Sequence, residues 1–298
     1  MRPVWLVLIP LFLLPAAPAR AIDLATADVA TLQRLATEGN PAAQFNLALA
    51  LQTGKGIDPD PAAASLWYRK AAEQGHAKAQ YNLGVLYLKG EGVPADPARA
   101  ADWFRQAAQQ GMVQAQYSLG LLYRDGQGVP ADPARAVSWL KKAADRQHAA
   151  AMLSLADLYA GGRGVEKNSL EAVRLYRLAA EKGETGAWCN LGNIYADAES
   201  PLHDQYQAFE YYQTGALAGE AVCQNNLAVL YLRGEGTVQN NAMAWAWFSI
   251  AADSGYPDAA DMLKQLEAVL DATELAMGKV ERATLLRRLE QQPPANIQ

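Results

Sequence analysis

Apolar positions recur along this chain in two alternating helical patterns joined by short polar punctuation. In Ala79–Tyr87, the residues Ala79, Leu83, Leu86 and Tyr87 fall at i, i+4, i+7 and i+8, the spacing of an amphipathic helix, with Gly84 thinning one side. Further on, Ala100, Trp103, Phe104, Ala107 and Ala108 form a second stripe at steps of three and four. Between the stripes, Gly90 and Gly92 supply the left-handed backbone that ends one helix and turns the chain. Asp96-Pro97 then opens the next helix with a capping carboxylate and a proline at its first position.

The whole unit repeats every 36 residues without insertion or deletion. Leu47, Leu83, Leu119, Leu155, Leu191 and Leu227 mark the first helix of each unit. Trp67, Trp103, Trp139, Leu175, Tyr211 and Trp247 mark the second, as do the small pairs from Ala71-Ala72 to Ala251-Ala252, with Gly215-Ala216 as the variant. The tryptophan column reads as the bulky centre of the core, flanked by alanines that let helices approach. One helix pair cannot bury both of its apolar faces, whereas pairs stacked in a row can. The pattern therefore predicts an all-α solenoid, about three-quarters helix and without sheet, in six repeats: 41–76, 77–112, 113–148, 149–184, 185–220 and 221–257.

The string Ala77-x-Ala-Gln-Tyr-Asn-Leu-Gly-x-Leu-Tyr, followed by the paired glycines, the capping aspartate, the tryptophan and the alanine pair, resembles the Sel-one-like repeat, a relative of the tetratricopeptide repeat. The resemblance covers residues 41–257 and implies a right-handed superhelix with a concave groove that holds a partner. Repeats 2 and 3 match best. Repeat 5 departs, because Ala198 and Ser200 stand where the turn glycines belong and Pro201-Leu202-His203 follows, so a different turn is expected there. Residues 22–40 read as an N-terminal capping element whose helix, Val29–Asn40, is a second helix without its partner. Residues 258–298 read as C-terminal caps: one more first helix at Asp258–Leu270, a charged closing helix at Ala272–Gln291, and a frayed tail.

The first 21 residues change where such a protein is expected to work. Arg2, the apolar run Val4–Leu14 and the Ala19-Arg20-Ala21 exit have the form of a cleaved secretory signal, which predicts a periplasmic or secreted bacterial product. The apolar run is too short for a transmembrane helix, and no cysteine follows the cleavage point to carry lipid. Without the leader, 24 basic residues face 31 acidic ones, a net charge of −7. No basic stripe is available to neutralise a nucleic-acid backbone, and no basic amphipathic face suits an anionic membrane.

Candidate chemistry is sparse. Ser138-Trp139-Leu140-Lys141 spells S-x-x-K, and cysteine-rich secreted members of the resembled family have been linked to β-lactam binding or hydrolysis. No S-D-N or K-T-G partner accompanies the motif, and its place inside a second helix accounts for it structurally. His76, His148 and His203 are the only imidazoles; the first two share a slot at the end of the second helix, where a dipolar side chain complements exposed carbonyls. No catalytic residue, metal site or cofactor is expected. Cys189 and Cys223 lie on successive first helices and are compatible either with a disulfide or with two buried thiols; the cysteine-rich relatives staple the helices within one repeat instead.

The remaining candidate surface is the slot before the core leucine, which by analogy with tetratricopeptide modules points into the groove. It holds Asn46, Asn82, Ser118, Ser154, Asn190 and Asn226, each with both hydrogen-bonding capacities or a hydroxyl, able to pair with the backbone of an extended peptide or with sugar hydroxyls. Alternatively these asparagines bond to neighbouring helices and stiffen the stack. Beside them run Phe45, Tyr81 and Tyr117, then Leu153, Cys189 and Asn225, while Lys89, Asp125, Asp197 and Arg233 vary in sign. The sequence thus points to an exported, non-catalytic scaffold for a protein or peptide of the cell envelope, with β-lactam chemistry or peptidoglycan and polysaccharide binding as the alternatives.

Overall fold

The computed structural model describes Leu24 and residues 26–291; the leader and the last seven residues, including the proposed cleavage site and frayed tail, lie outside the described residues. Among the described residues there are fifteen helices and no strand, 73% of those residues being helical. The protein is an all-α solenoid of helix pairs whose chain divides into two compact units, residues 1–76 and 77–298.

The first unit holds α1 (Val29–Thr37), α2 (Pro41–Thr53) and α3 (Pro61–Glu73). Asp28 caps α1 through the Thr31 N–H, and Asn40 caps α2 through the N–H groups of Ala42 and Ala43. Helix α1 packs on α2 as a second helix without its partner, and the buried Gln44 amide donates to the Ala36 carbonyl at 3.1 Å. Helices α2 and α3 close around Leu47, Ala48, Ala64 and Tyr68, all at most 1% exposed.

In the second unit the first helices are α4 (Ala77–Lys89), α6 (Val113–Asp125), α8 (Ala149–Gly161), α10 (Gly186–Ala196) and α12 (Ala221–Arg233). Their partners are α5 (Pro97–Gln109), α7 (Pro133–Asp145), α9 (Ser169–Glu181), α11 (Gln205–Leu217) and α13 (Asn241–Asp253). Each pair packs internally and then on the next first helix, the nearest-neighbour contact scheme of a solenoid. The glutamine of the repeat signature joins successive pairs: Gln116 donates to the Ala108 carbonyl and Gln224 to the Ala216 carbonyl, both at 3.2 Å and buried. The turns are fixed at both ends. The capping residue of each second helix accepts from the N–H three residues on, while its own N–H returns to a tyrosine of the first helix, as Asp132 does to Tyr123 at 2.8 Å. The second turn glycine is sterically required: a Cβ on Gly128 would sit 2.2 Å from the Pro97 carbonyl carbon, and one on Gly164 2.3 Å from that of Pro133.

Two expectations are corrected. The deeply buried position of the second helix is one residue past the tryptophan column, at Phe104, Leu140, Tyr176, Tyr212 and Phe248; Trp103 and Trp139 are only half-buried, although Leu175 and Trp247 are buried. Phe104 and Leu140 win that place because Gly84 and Gly120 open the facing first helix: an added Cβ would lie 2.6 Å and 2.8 Å from them. Second, His148 does not complement carbonyls at a helix C-terminus; it is the N-cap of α8, its Nδ1 accepting from the Ala151 N–H at 3.3 Å. After α13 come α14 (Pro257–Glu267), which packs on it, and α15 (Ala272–Gln291). Helix α15 runs parallel to α13, with Glu274 accepting from Asn241, Gly278 against Trp245, and Arg282 paired with Asp253. Helix α13 is consequently buried on nearly every side.

Repeat 5 breaks the turn pattern. Helix α10 has 11 residues where the other first helices of this unit have 13, and it ends on Asp197 in extended backbone instead of a left-handed glycine. Ser200 stands buried in the slot of the second glycine.

Candidate ligand-binding face of the first helices

In the second unit the slot before the core leucine is half-buried at Asn82, Ser118, Asn190 and Asn226, and buried at Ser154. The amide of Asn190 donates to Asp157 Oδ1 on the preceding first helix at 3.2 Å, and that of Asn226 donates to Asn193 Oδ1 at 3.3 Å. The same two acceptors receive a second-helix hydroxyl from below: Tyr176 Oη lies 2.6 Å from Asp157 Oδ1 and Tyr212 Oη 2.7 Å from Asn193 Oδ1. Asn225 adds a 3.3 Å bond to Asn226 Oδ1. A polar ladder therefore runs across repeats 4, 5 and 6, and it fixes the orientation of the asparagines that it includes.

Burial dominates the electrostatics of this ladder. It pushes the Asp157 carboxyl above its ordinary value, against the opposing pull of the Tyr176 hydrogen bond and of the Arg124 and Arg163 charges. Tyr176 is raised by burial and by the adjoining Asp157 charge, and burial pushes Tyr212 up to about 12. Beside Asp157, Arg124 holds Asp125 in a two-bond ion pair at 2.7 and 2.9 Å, which lowers the Asp125 carboxyl. Lys89 and Arg233, from the variable-charge column, face Glu91 and Glu235 at 3.7 and 3.8 Å.

The tyrosines are already engaged. Tyr117 stacks on His148 with ring centroids 4.7 Å apart, and Tyr81 lies tilted 5.5 Å from Phe104. In the first unit Asn46 donates to the Ala42 carbonyl of its own helix at 2.9 Å, and Phe45 stacks on His76 at 4.8 Å. Asn46 also borders a cavity of 440 Å³ together with Leu24, Leu32, Leu49 and Lys55.

Cys189 and Cys223 form a disulfide that ties α10 to α12, with Cα atoms 5.2 Å apart. Gly215 makes room for it: a Cβ there would meet Cys223 Sγ at 2.1 Å. Ser138 and Lys141 are exposed on α7, and the ammonium beside them, Lys142, lies 4.0 Å over the Trp139 ring. Among the described residues no three of His, Cys, Asp or Glu converge as metal ligands, His203 is exposed, and no helix is long and apolar enough to cross a membrane.

The pattern-based reading reached Asn190 and Asn226 but not their partners Asp157, Asn193, Tyr176 and Tyr212. A signal was present: the slot of Asp157 and Asn193 is aliphatic in the other repeats, as Leu49, Val85, Leu121 and Val229.

Comparison with known proteins agrees with this architecture. No curated protein matches the chain. Among solved structures, a protective antigen of uropathogenic Escherichia coli strains, described as displaying an SLR fold, is 31% identical with a TM-score of 0.74. The match covers 90% of this chain but only 57% of that one. A Sel1 repeat protein from Oxalobacter formigenes is 29% identical over 84% of this chain and 97% of its own, with a TM-score of 0.67. The family description "Sel1 repeat" fits residues 41–76, 77–112, 113–148, 149–184, 189–220 and 221–256. Six matched repeats covering most of its length mean that this chain belongs to the Sel1 repeat family, whose members generally mediate protein–protein interaction.

Proposed function

We propose that this protein is an exported, non-catalytic scaffold that holds an extended segment of a cell-envelope protein along its first-helix face, with Asn82, Asn190 and Asn226 as backbone anchors. The observation that carries this reading is the polar ladder. Asn190 and Asn226 are half-exposed, yet the bonds to Asp157 and Asn193 hold their amides in place, so little side-chain entropy is lost when a ligand pairs with them. Stiffening and binding are then one device. An anchor that offers donor and acceptor to a peptide backbone reads extended conformation more than side-chain identity. Envelope location rests on the form of residues 1–21.

The test is site-specific photo-crosslinking in the periplasm, with the reactive residue placed at Ser118 on the proposed binding face or at Ser138 on α7. A discrete adduct from position 118, absent from position 138 and lost when Asn82, Asn190 and Asn226 are all changed to Ala in a protein of unchanged helical content, supports the reading. Equal adducts from both positions, or an adduct that survives the triple change, refutes it.

A further inference from the structure

An open cavity of 280 Å³ lies in repeats 4 and 5, between the start of α9 and the end of α10. That volume lies just under the range typical of sites for drug-sized molecules, which suits a smaller guest. Its lining carries both signs of charge: Lys167 and Ser169 come from the start of α9, and Asp197 comes from the end of α10, with Asn190 also on the wall. Among the described residues neither Lys167 nor Asp197 has an ion-pair partner; Asp197 Oδ1 accepts only the Glu199 N–H, at 3.0 Å.

The end of α10 also carries a spare acceptor. In the other five repeats the carbonyl at the slot of Ile194 receives the N–H of the turn: Ala50, Leu86, Leu122, Leu158 and Leu230 are all capped in this way. Because α10 stops early and Asp197 is in extended backbone, the Ile194 carbonyl receives no hydrogen bond from any described residue, and Ile194 lines the cavity. A backbone acceptor without a hydrogen bond and a carboxylate without an ion-pair partner, both from residues of the lining, favour a cation that donates several hydrogen bonds, an ammonium. The lysine and hydroxyl at the start of α9 favour a carboxylate. Lys167 itself replaces the Ala95 and Ala131 of the preceding repeats. Cavity, charges and open carbonyl thus all arise where the array departs from its own pattern.

We infer that this cavity binds a small zwitterion, an α-amino acid or a dipeptide, with its carboxylate at Lys167 and Ser169 and its ammonium at Asp197 and the Ile194 carbonyl. The cavity shares Asn190 with the proposed first-helix face, but its occupancy is read without any protein partner.

Isothermal titration of the full mature chain tests the assignment. The probes are the common L-amino acids taken singly, L-Ala-L-Ala, and the blocked forms N-acetyl-L-alanine and L-alaninamide, at concentrations up to about 10 mM. The expected result is saturable one-to-one binding of at least one zwitterion. A single amino acid binding tighter than the dipeptide identifies a free amino acid as the guest, and the reverse identifies a short peptide. Either blocked form, and either variant Lys167→Met or Asp197→Asn, should weaken binding by about tenfold or more. Asn at 197 still accepts from Glu199, so the turn is preserved. The inference is overturned if no zwitterion binds, if one blocked form binds as well as the free compound, or if both variants bind like the unaltered protein.

Discussion

Gly215 offers a substitution whose sign should invert with the state of one bond. It occupies the first place of the alanine pair in repeat 5, inside α11, where the other repeats carry Ala71, Ala107, Ala143, Ala179 and Ala251. A Cβ at this position would lie 2.1 Å from Cys223 Sγ and 3.1 Å from both Cys223 Cβ and Trp188 Cβ. In the disulfide-bonded protein Gly215→Ala gains about 0.5–1 kcal/mol from helix propensity but incurs about 1–3 kcal/mol of overpacking, for a net loss of about 1 kcal/mol. With Cys189→Ala and Cys223→Ala in place, the sulfur is gone and the alanine column is restored. The same change should then stabilise by about 0.5 kcal/mol. Equilibrium urea unfolding followed by circular dichroism on the four proteins gives the coupling, expected at about 1–3 kcal/mol. Equal destabilisation in both backgrounds would show that Gly215 does not answer the disulfide. Stabilisation in both would mean that α11 and α12 give way enough to admit a methyl group. Loss of the disulfide alone releases a loop of sequence separation 34, which the chain-entropy account values at about 3.8 kcal/mol.

Other outcomes follow from single side chains. Leu119→Ala, at a position with no exposure between repeats 2 and 3, should cost about 2–5 kcal/mol in the same unfolding assay. Tyr176→Phe removes a hydrogen bond to a half-buried carboxylate and should cost about 1.5–3 kcal/mol, against about 0.5–1.5 kcal/mol for Tyr212→Phe, whose acceptor is a neutral amide; equal costs would argue that Asp157 is uncharged in the fold. His148 is held below its ordinary value of 6.5 chiefly by burial, with Glu184 pulling the other way. The folded state then binds fewer protons than the unfolded one, so this contribution is complete above about pH 6.5 and is lost as the pH falls below it. Thermal melts across that range should show a slope that His148→Asn, a pH-independent cap, removes.

The fold was legible because a solenoid writes its packing into a period. Six copies of one leucine and of a capping residue, with two turn glycines in five of the six repeats, leave little freedom in where helices begin, end or face, and local signals agree with the global arrangement at nearly every step. The misplaced core position shows the limit of that reading. Trp103 and Phe104 are adjacent apolar residues, and only the gap opened by Gly84 on the facing helix decides which one enters. His148 failed for a related reason: the residue that follows one helix also precedes the next, and a neutral imidazole can accept where a charged one would donate. The most informative positions were those at which the chain disagrees with its own repeats. Gly215 departs from alanine where a sulfur needs the volume, and Asp157 and Asn193 depart from aliphatic residues where Tyr176 and Tyr212 offer hydroxyls. The shortened α10 departs from the glycine turn where a cavity opens. Each departure substitutes a local requirement for the shared one, and all of them fall in repeats 4 and 5 or at their border with repeat 6. A repeat array needs only nearest-neighbour agreement to fold, so it tolerates such a cluster without loss of the rest. That tolerance makes the centre of repeats 4 to 6, and not the well-matched repeats 2 and 3, the part of this protein whose chemistry is its own.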